Sequence, residues 1–235
     1  MKRILLLVDE RISEKCFSAL EGLGYFPIRL PKMPSLPSPI ASHTDILSFK
    51  LYDKIFFSRK YYESFKDSLS DIPSENIIIT NESQGEEYPL DAIFNGLLLG
   101  NKLFCKKDTF SREILAHTES LGIKTVCVKQ GYPACTTLKI SENAVITADR
   151  GMAKALSDEG ISVLEIENGG ISLPPYEYGF IGGAAALYRN EVYFLGDIST
   201  HPDADKILRF IKKNEKKPIF LSDEPLVDLG GMIFI

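Results

Sequence analysis

Residues 44–80 read TDILSFKLYDKIFFSRKYYESFKDSLSDIPSENIIIT. Two β-rich runs, 45–49 and 54–58, flank a short turn; a helical stretch follows over 61–69, and a third β-rich run closes at 76–80. The same strand–strand–helix–strand order returns at 92–99, 102–105, 111–121 and 124–128. It returns again at 135–140, 144–147, 151–158 and 162–166, and once more at 180–188, 191–195, 203–213 and 218–221. A fifth unit is split between the chain ends: 227–235 supplies its first strand, and 3–8, 12–23 and 26–30 supply the rest. Asn and Gly in the turns 100–101, 141–143 and 189–190 favour hairpins because both tolerate positive φ. Ser111 and Asp203 stand where helix N-caps belong, and Gly122 and Gly160 where helices end.

The second strands of the units begin near residues 3, 54, 102, 143 and 191, a period of about 47 residues, in the range of repeat architectures. An open doubly wound α/β domain needs strands and helices alternating one for one, and four successive hairpins argue against it. The expected fold is α/β: a five-bladed β/α-propeller closed by its N- and C-termini. Its single domain covers 1–235, with repeats at 227–235 plus 1–31, 43–80, 91–130, 135–169 and 180–223.

The chain has 235 residues, 44% of them hydrophobic, so a sizeable core is available. Twenty-seven basic and 32 acidic residues give a net charge of −5. A surface that neutralises phosphates needs the opposite balance, which argues against nucleic acid and anionic membranes as partners. The apolar run 4–8 ends at Asp9 and is too short for a signal peptide or a membrane span. Four cysteines, none in a CxxC pair, make no disulfide scaffold. These features point to a cytoplasmic protein; oligomeric state is left open.

The candidate chemistry lies in His43-Thr44-Asp45, in Cys135 within 133–137, and in Asp228-Leu229-Gly230-Gly231; Asp91 occupies the corresponding column of its own repeat. Together with the five-unit architecture, these motifs resemble the pentein superfamily, which includes arginine and agmatine deiminases, dimethylarginine dimethylaminohydrolases and amidinotransferases. It also includes a non-catalytic ribosomal anti-association factor. The resemblance covers the whole chain as architecture and short motifs as sequence, with the chain cut at a different point of the ring.

The resemblance implies a Cys-dependent hydrolase or amidinotransferase acting on a small guanidine or amidine, with no cofactor and no metal. Cys135 would be the nucleophile, since a delocalised guanidine carbon calls for a thiolate. His43 would protonate the leaving amine and then activate water, and Asp228 would orient His43. Asp45 and Asp91 would hold the substrate through charge-assisted hydrogen bonds. The repeat at 179–186, GFIGGAAA, lacks the carboxylate that the enzymes carry there. The alternative is a non-catalytic binding module for a protein or ribonucleoprotein surface.

Cys16, Cys105 and Cys127 are expected in the core, His117 in solvent, and His201 at a helix start. Gly182-Gly183 fits no phosphate-loop pattern and is expected to permit close backbone approach.

Overall fold

A computed structural model describes residues 4–235. Met1, Lys2 and Arg3, where the first strand was expected to begin, lie outside them.

Five three-stranded sheets share one plan. In the first, Ile4–Asp9 runs antiparallel to Ile233–Phe234 and parallel to Tyr25–Leu30. The second has Lys54–Ser58 between Ser48–Leu51 and Ile77–Thr80; the third has Lys102–Cys105 between Leu97–Leu99 and Lys124–Cys127. The fourth centres on Ala144–Thr147, between Thr137–Ser141 and Ser162–Glu165; the fifth centres on Glu191–Phe194, between Ala185–Tyr188 and Lys217–Phe220. Each centre strand has one antiparallel and one parallel neighbour. A parallel neighbour requires a crossover, and a helix supplies it in every unit: Glu14–Gly22, Arg59–Phe65, Arg112–Ser120, Arg150–Asp158 and Ala204–Lys213. No helix among the described residues is long and apolar enough to cross a membrane.

Four of these helices start on a side-chain cap: Ser13, Ser58, Ser111 and Asp149 accept from the backbone N–H three residues on. Asp203 holds the cap position of the fifth without capping; its carboxylate accepts from Glu167 N and pairs with Lys206. Gly122 and Gly160 follow their helices at φ +72° and +80°. In the hairpins the left-handed residue is the first of each two-residue turn: Gly100, one of the expected residue types, but also Tyr52 and, in place of Asn190, Arg189. The 141–143 turn is absorbed by a register shift at Ala144/Val145.

The packing explains why the centre strands read as unbroken apolar runs. Leu5 and Leu7 join one core cluster with Ile55 and Phe57 of the second sheet, while Leu6 and Val8 join another with Tyr193 and Leu195 beside the fifth. Phe56 packs with Leu103 and Cys105, Phe104 with Val145, and Ala144 and Ile146 with Val192 and Phe194. Alternate side chains of a strand point to opposite faces, so each centre strand is buried on both and shows no polar alternation.

Four expectations are corrected here. The first strands of the second and fourth units begin later, because each opens with one helical turn, Thr44–Leu47 and Pro133–Thr136. The third opens with a short 3₁₀ turn, Leu90–Ala92, and in the fifth the strand begins only at Ala185. The C-terminal stretch is two short strands. Leu226–Val227 pairs with Ile171–Ser172, and only Ile233–Phe234 joins the first sheet. Gly230 and Gly231, at φ +69° and +71°, break the extended run between them. Cys127 is exposed at the end of an outer strand, whereas Cys16 and Cys105 are buried. His117 is half-buried, edge-on to Phe56 at 5.3 Å, rather than solvated.

The last strand carries weight out of proportion to its length. Phe234 is 4% exposed, stacks on Tyr188 at 4.3 Å and meets Tyr25 edge-on at 5.2 Å. Replacing Phe234 by Ala is expected to cost about 3–5 kcal/mol, the usual range for a buried Phe, measured by urea unfolding. An unchanged midpoint would show that the chain end does not contribute to the core.

Candidate active site

The turns that precede the sheets bring distant segments together. His43 is the residue before the Thr44–Leu47 turn, and that turn is tied down when Thr44 Oγ1 donates to Gly230 O (2.5 Å) and Ser48 Oγ to Thr44 O (2.8 Å). Pro133 opens the turn that carries Cys135, a position where its missing N–H leaves no bond unmade. Gly182 lies against that turn so closely that a Cβ there would stand 2.1 Å from Ala134 O. At Gly183 a Cβ would meet Asp228 Oδ1 at 1.9 Å. The Gly-Gly pair is therefore a steric requirement, as its sequence suggested.

His43, Asp45 and Cys135 converge, with one ligand-type atom from each lying within 4.8 Å of the others. Cys135 Sγ donates to Asp45 Oδ2 at 2.6 Å. Asn95 spans the pair: its Nδ2 donates to Cys135 Sγ and to Asp45 O (both 3.3 Å), and its Oδ1 accepts from Ala134 N at 2.8 Å. Asp228 Oδ1 stands 3.9 Å from His43 Nδ1. Its oxygens accept from Phe180 N (2.8 Å) and Gly230 N (3.0 Å). Both His43 ring nitrogens and Asp45 Oδ1 are buried without a hydrogen-bond partner among the described residues. Three donor atoms this close also suit a cation in geometry, though the buried cysteine enters the site as a neutral thiol.

A cavity of about 470 Å³ opens over this cluster. His43, Cys135 and Asp228 line it, together with the aromatic side chains of Tyr88, Tyr132 and Phe180. Asp45 and Asp91 stand behind its wall. Asp45 faces Cys135 and edges a separate cavity of about 210 Å³, and Asp91 is 2% exposed and accepts from Tyr132 OH at 2.6 Å. Asp91 thus fixes a ring that lines the cavity.

Burial sets the protonation states. It lowers the His43 pKa, outweighing the opposite pull of Asp228. It pushes the Cys135 thiol well up, with Asp45 and Asp228 adding to the rise, and it pushes Asp45 up to about 8, against the hydrogen bonds from Cys135 and Asn95. At neutral pH the resting cluster is a neutral thiol, a neutral imidazole and a largely protonated Asp45.

Asn95 was missed by motif reading. Its signal was one amide-bearing residue in an otherwise apolar run, and buried polar groups demand partners. Tyr132 and the Tyr176–Phe180 segment were passed over because cavity walls assembled from separate loops leave no spacing to read. His201 is at a helix start, as expected: its Nδ1 accepts from Asp203 N at 3.0 Å.

The fold is similar to solved structures of low identity. DDAH from Pseudomonas aeruginosa, a cysteine-to-serine mutant complexed with citrulline, aligns with a TM-score of 0.59 at 12% identity, over 94% of this chain and 92% of that one. The inosamine-phosphate amidinotransferase of Streptomyces griseus gives 0.55 at 12%, over 94% and 78%. The agmatine deiminase of C. jejuni gives 0.53 at 10%, over 94% and 87%. These are penteins, and the chain has the mixed α/β fold of that superfamily. By sequence it belongs to a family of unknown function, DUF6873, whose model matches residues 7–233. No curated protein matches it.

The raised pKa of Asp45 carries a stability prediction. The unfolded carboxyl ionises near 3.9, while the folded one holds its proton up to about 8. Its contribution is therefore complete below about pH 3.9 and is lost as pH rises toward 8. Asp45→Asn, which keeps a neutral side chain, is expected to flatten the fall in Tm between pH 5 and 8. Parallel curves for both proteins would refute the assignment.

Proposed function

We propose that this chain is a Cys-dependent enzyme acting on C–N bonds of a small guanidine- or amidine-type substrate, by hydrolysis or amidino transfer. The observation that carries the reading is the convergence of Cys135, His43 and Asp45 beneath one cavity, with Asp228 beside the imidazole. In this reading the five sheets close a ring as a single unit. The five core clusters support it, since each joins two successive sheets and the last returns to the first. The fold shared with deiminases and amidinotransferases supports the reaction class.

The resting thiol needs activation, and a cationic substrate supplies it: positive charge beside Sγ offsets Asp228 and favours the thiolate. Neutral His43, kept so by burial, accepts the thiol proton. Sγ attacks the central carbon, the C–N bond breaks, and His43 returns the proton to the departing amine. Water, or an acceptor amine, then loses a proton to His43 as its oxygen or nitrogen bonds to the same carbon. The C–S bond breaks and the proton returns to sulfur. Asp228 stabilises the imidazolium that forms twice in this cycle, and Asn95 and Asp45 hold the sulfur in place.

The test is a screen of guanidines and amidines for ammonia, urea or amine release, with haloacetamidine labelling followed by mass spectrometry. Wild type is expected to turn over at least one compound and to be labelled at Cys135. Cys135→Ser is expected to lose activity by at least about a thousandfold. Equal labelling of the two proteins would remove Cys135 as nucleophile.

A further inference from the structure

Among the described residues, twelve side chains line the 470 Å³ cavity, and none of them is a lysine or arginine. Tyr88, Tyr132, Tyr176, Tyr178 and Phe180 supply aromatic faces, and Ile40, Ile46 and Leu173 add apolar surface. The charged groups on the wall are carboxylates, Asp228 at the floor and Glu177 at the exposed rim; Glu177 has no ion-pair partner among the described residues. The imidazole is held neutral by burial.

We infer that the cavity selects an amidinium or guanidinium cation carried on an apolar or aromatic body, and rejects molecules bearing a carboxylate. The inference rests on the function proposed above and narrows its substrate class. A cation gains from ring faces and carboxylates together. An added carboxylate would be stripped of water in a cavity that offers it no cationic partner and two like charges.

One ring, Tyr132, is fixed before any ligand arrives. Tyr132 is anchored by its hydroxyl on buried Asp91 and lies 5.3 Å from Tyr88. The backbone of Tyr176 is held in a tight turn, its N–H donating to Leu173 O at 2.8 Å, while its ring is half exposed. Cations stand near the cavity without lining it; Arg11, whose charge reaches His43 and Asp228, is paired with buried Asp9 at 2.6 Å. Lys106 Nζ sits 5.3 Å over the Tyr88 ring, and Arg150 borders a neighbouring cavity of about 520 Å³ that shares Tyr178 and Phe180.

The experiment is calorimetric titration of the wild-type chain with benzamidine and with 4-carboxybenzamidine, which differ only by the carboxylate, and a turnover comparison of agmatine with arginine. Benzamidine is expected to bind at least tenfold more tightly than its carboxylated analogue. Tyr176→Ala, at a half-exposed position, is expected to weaken benzamidine about fivefold or more. Lys106→Ala and Arg150→Ala should leave the selectivity ratio unchanged. Equal or tighter binding of the carboxylated compound, no binding of either, or a ratio that collapses in Lys106→Ala or Arg150→Ala would overturn the inference. Selective binding without turnover of any guanidine or amidine and without labelling of Cys135 would instead overturn the enzymatic reading and leave the cation preference standing. Arginine turned over as well as agmatine would do the reverse.

Discussion

Asp228 is 1% exposed, and its two oxygens take the N–H groups of Phe180 and Gly230 while His43 stands 3.9 Å away. A buried carboxylate without such partners is costly, so the fifth unit, the C-terminal loop and the His43 turn are each held where this one side chain needs them. The glycines around it follow from the same constraint. Gly183 lets the carboxylate approach its backbone, and its carbonyl accepts from Leu229 and Gly231 while its N–H donates to Cys135 O. One carboxylate and one glycine therefore connect the segments that bear His43, Cys135 and Asp228.

Around this point the sheets repeat a plan, and the repetition has a physical origin. A centre strand that buries both faces needs a covering neighbour on each, and the cluster formed with one neighbour leaves the other face to be covered in turn. Short helical turns, Thr44–Leu47 and Pro133–Thr136, precede the first strands of the second and fourth units. At these turns His43, Asp45 and Cys135 meet, with the Cys135 thiol donating to Asp45.

The sequence made the repeated order of strands and helices readable because it is carried by local signals: apolar runs, serine caps and glycine stops. Ser111 and Gly122 bracket their helix as read. The beginnings of the first strands were not readable, since a single turn such as Thr44–Leu47 is too short to establish a helical period. Cys127 looked like core because its strand is apolar on average, yet it falls at the exposed end. That Cys135 and His43 lie together was implied by the family resemblance, which sets them two repeats apart. Asn95 and the aromatic wall were not, because their partners come from other units and no spacing encodes them.

The two groups of rings have a further consequence. The chain has ten tyrosines and no tryptophan, so its near-ultraviolet signal is not dominated by indole. Tyr25, Tyr188 and Tyr193 cluster with Phe234 where the chain ends share a sheet, with Tyr25 and Tyr193 joined through their hydroxyls at 2.5 Å. Tyr88, Tyr132, Tyr176 and Tyr178 surround the cavity instead. The protein therefore carries two built-in optical probes, one sensitive to the joining of its ends and the other to whatever occupies its cavity.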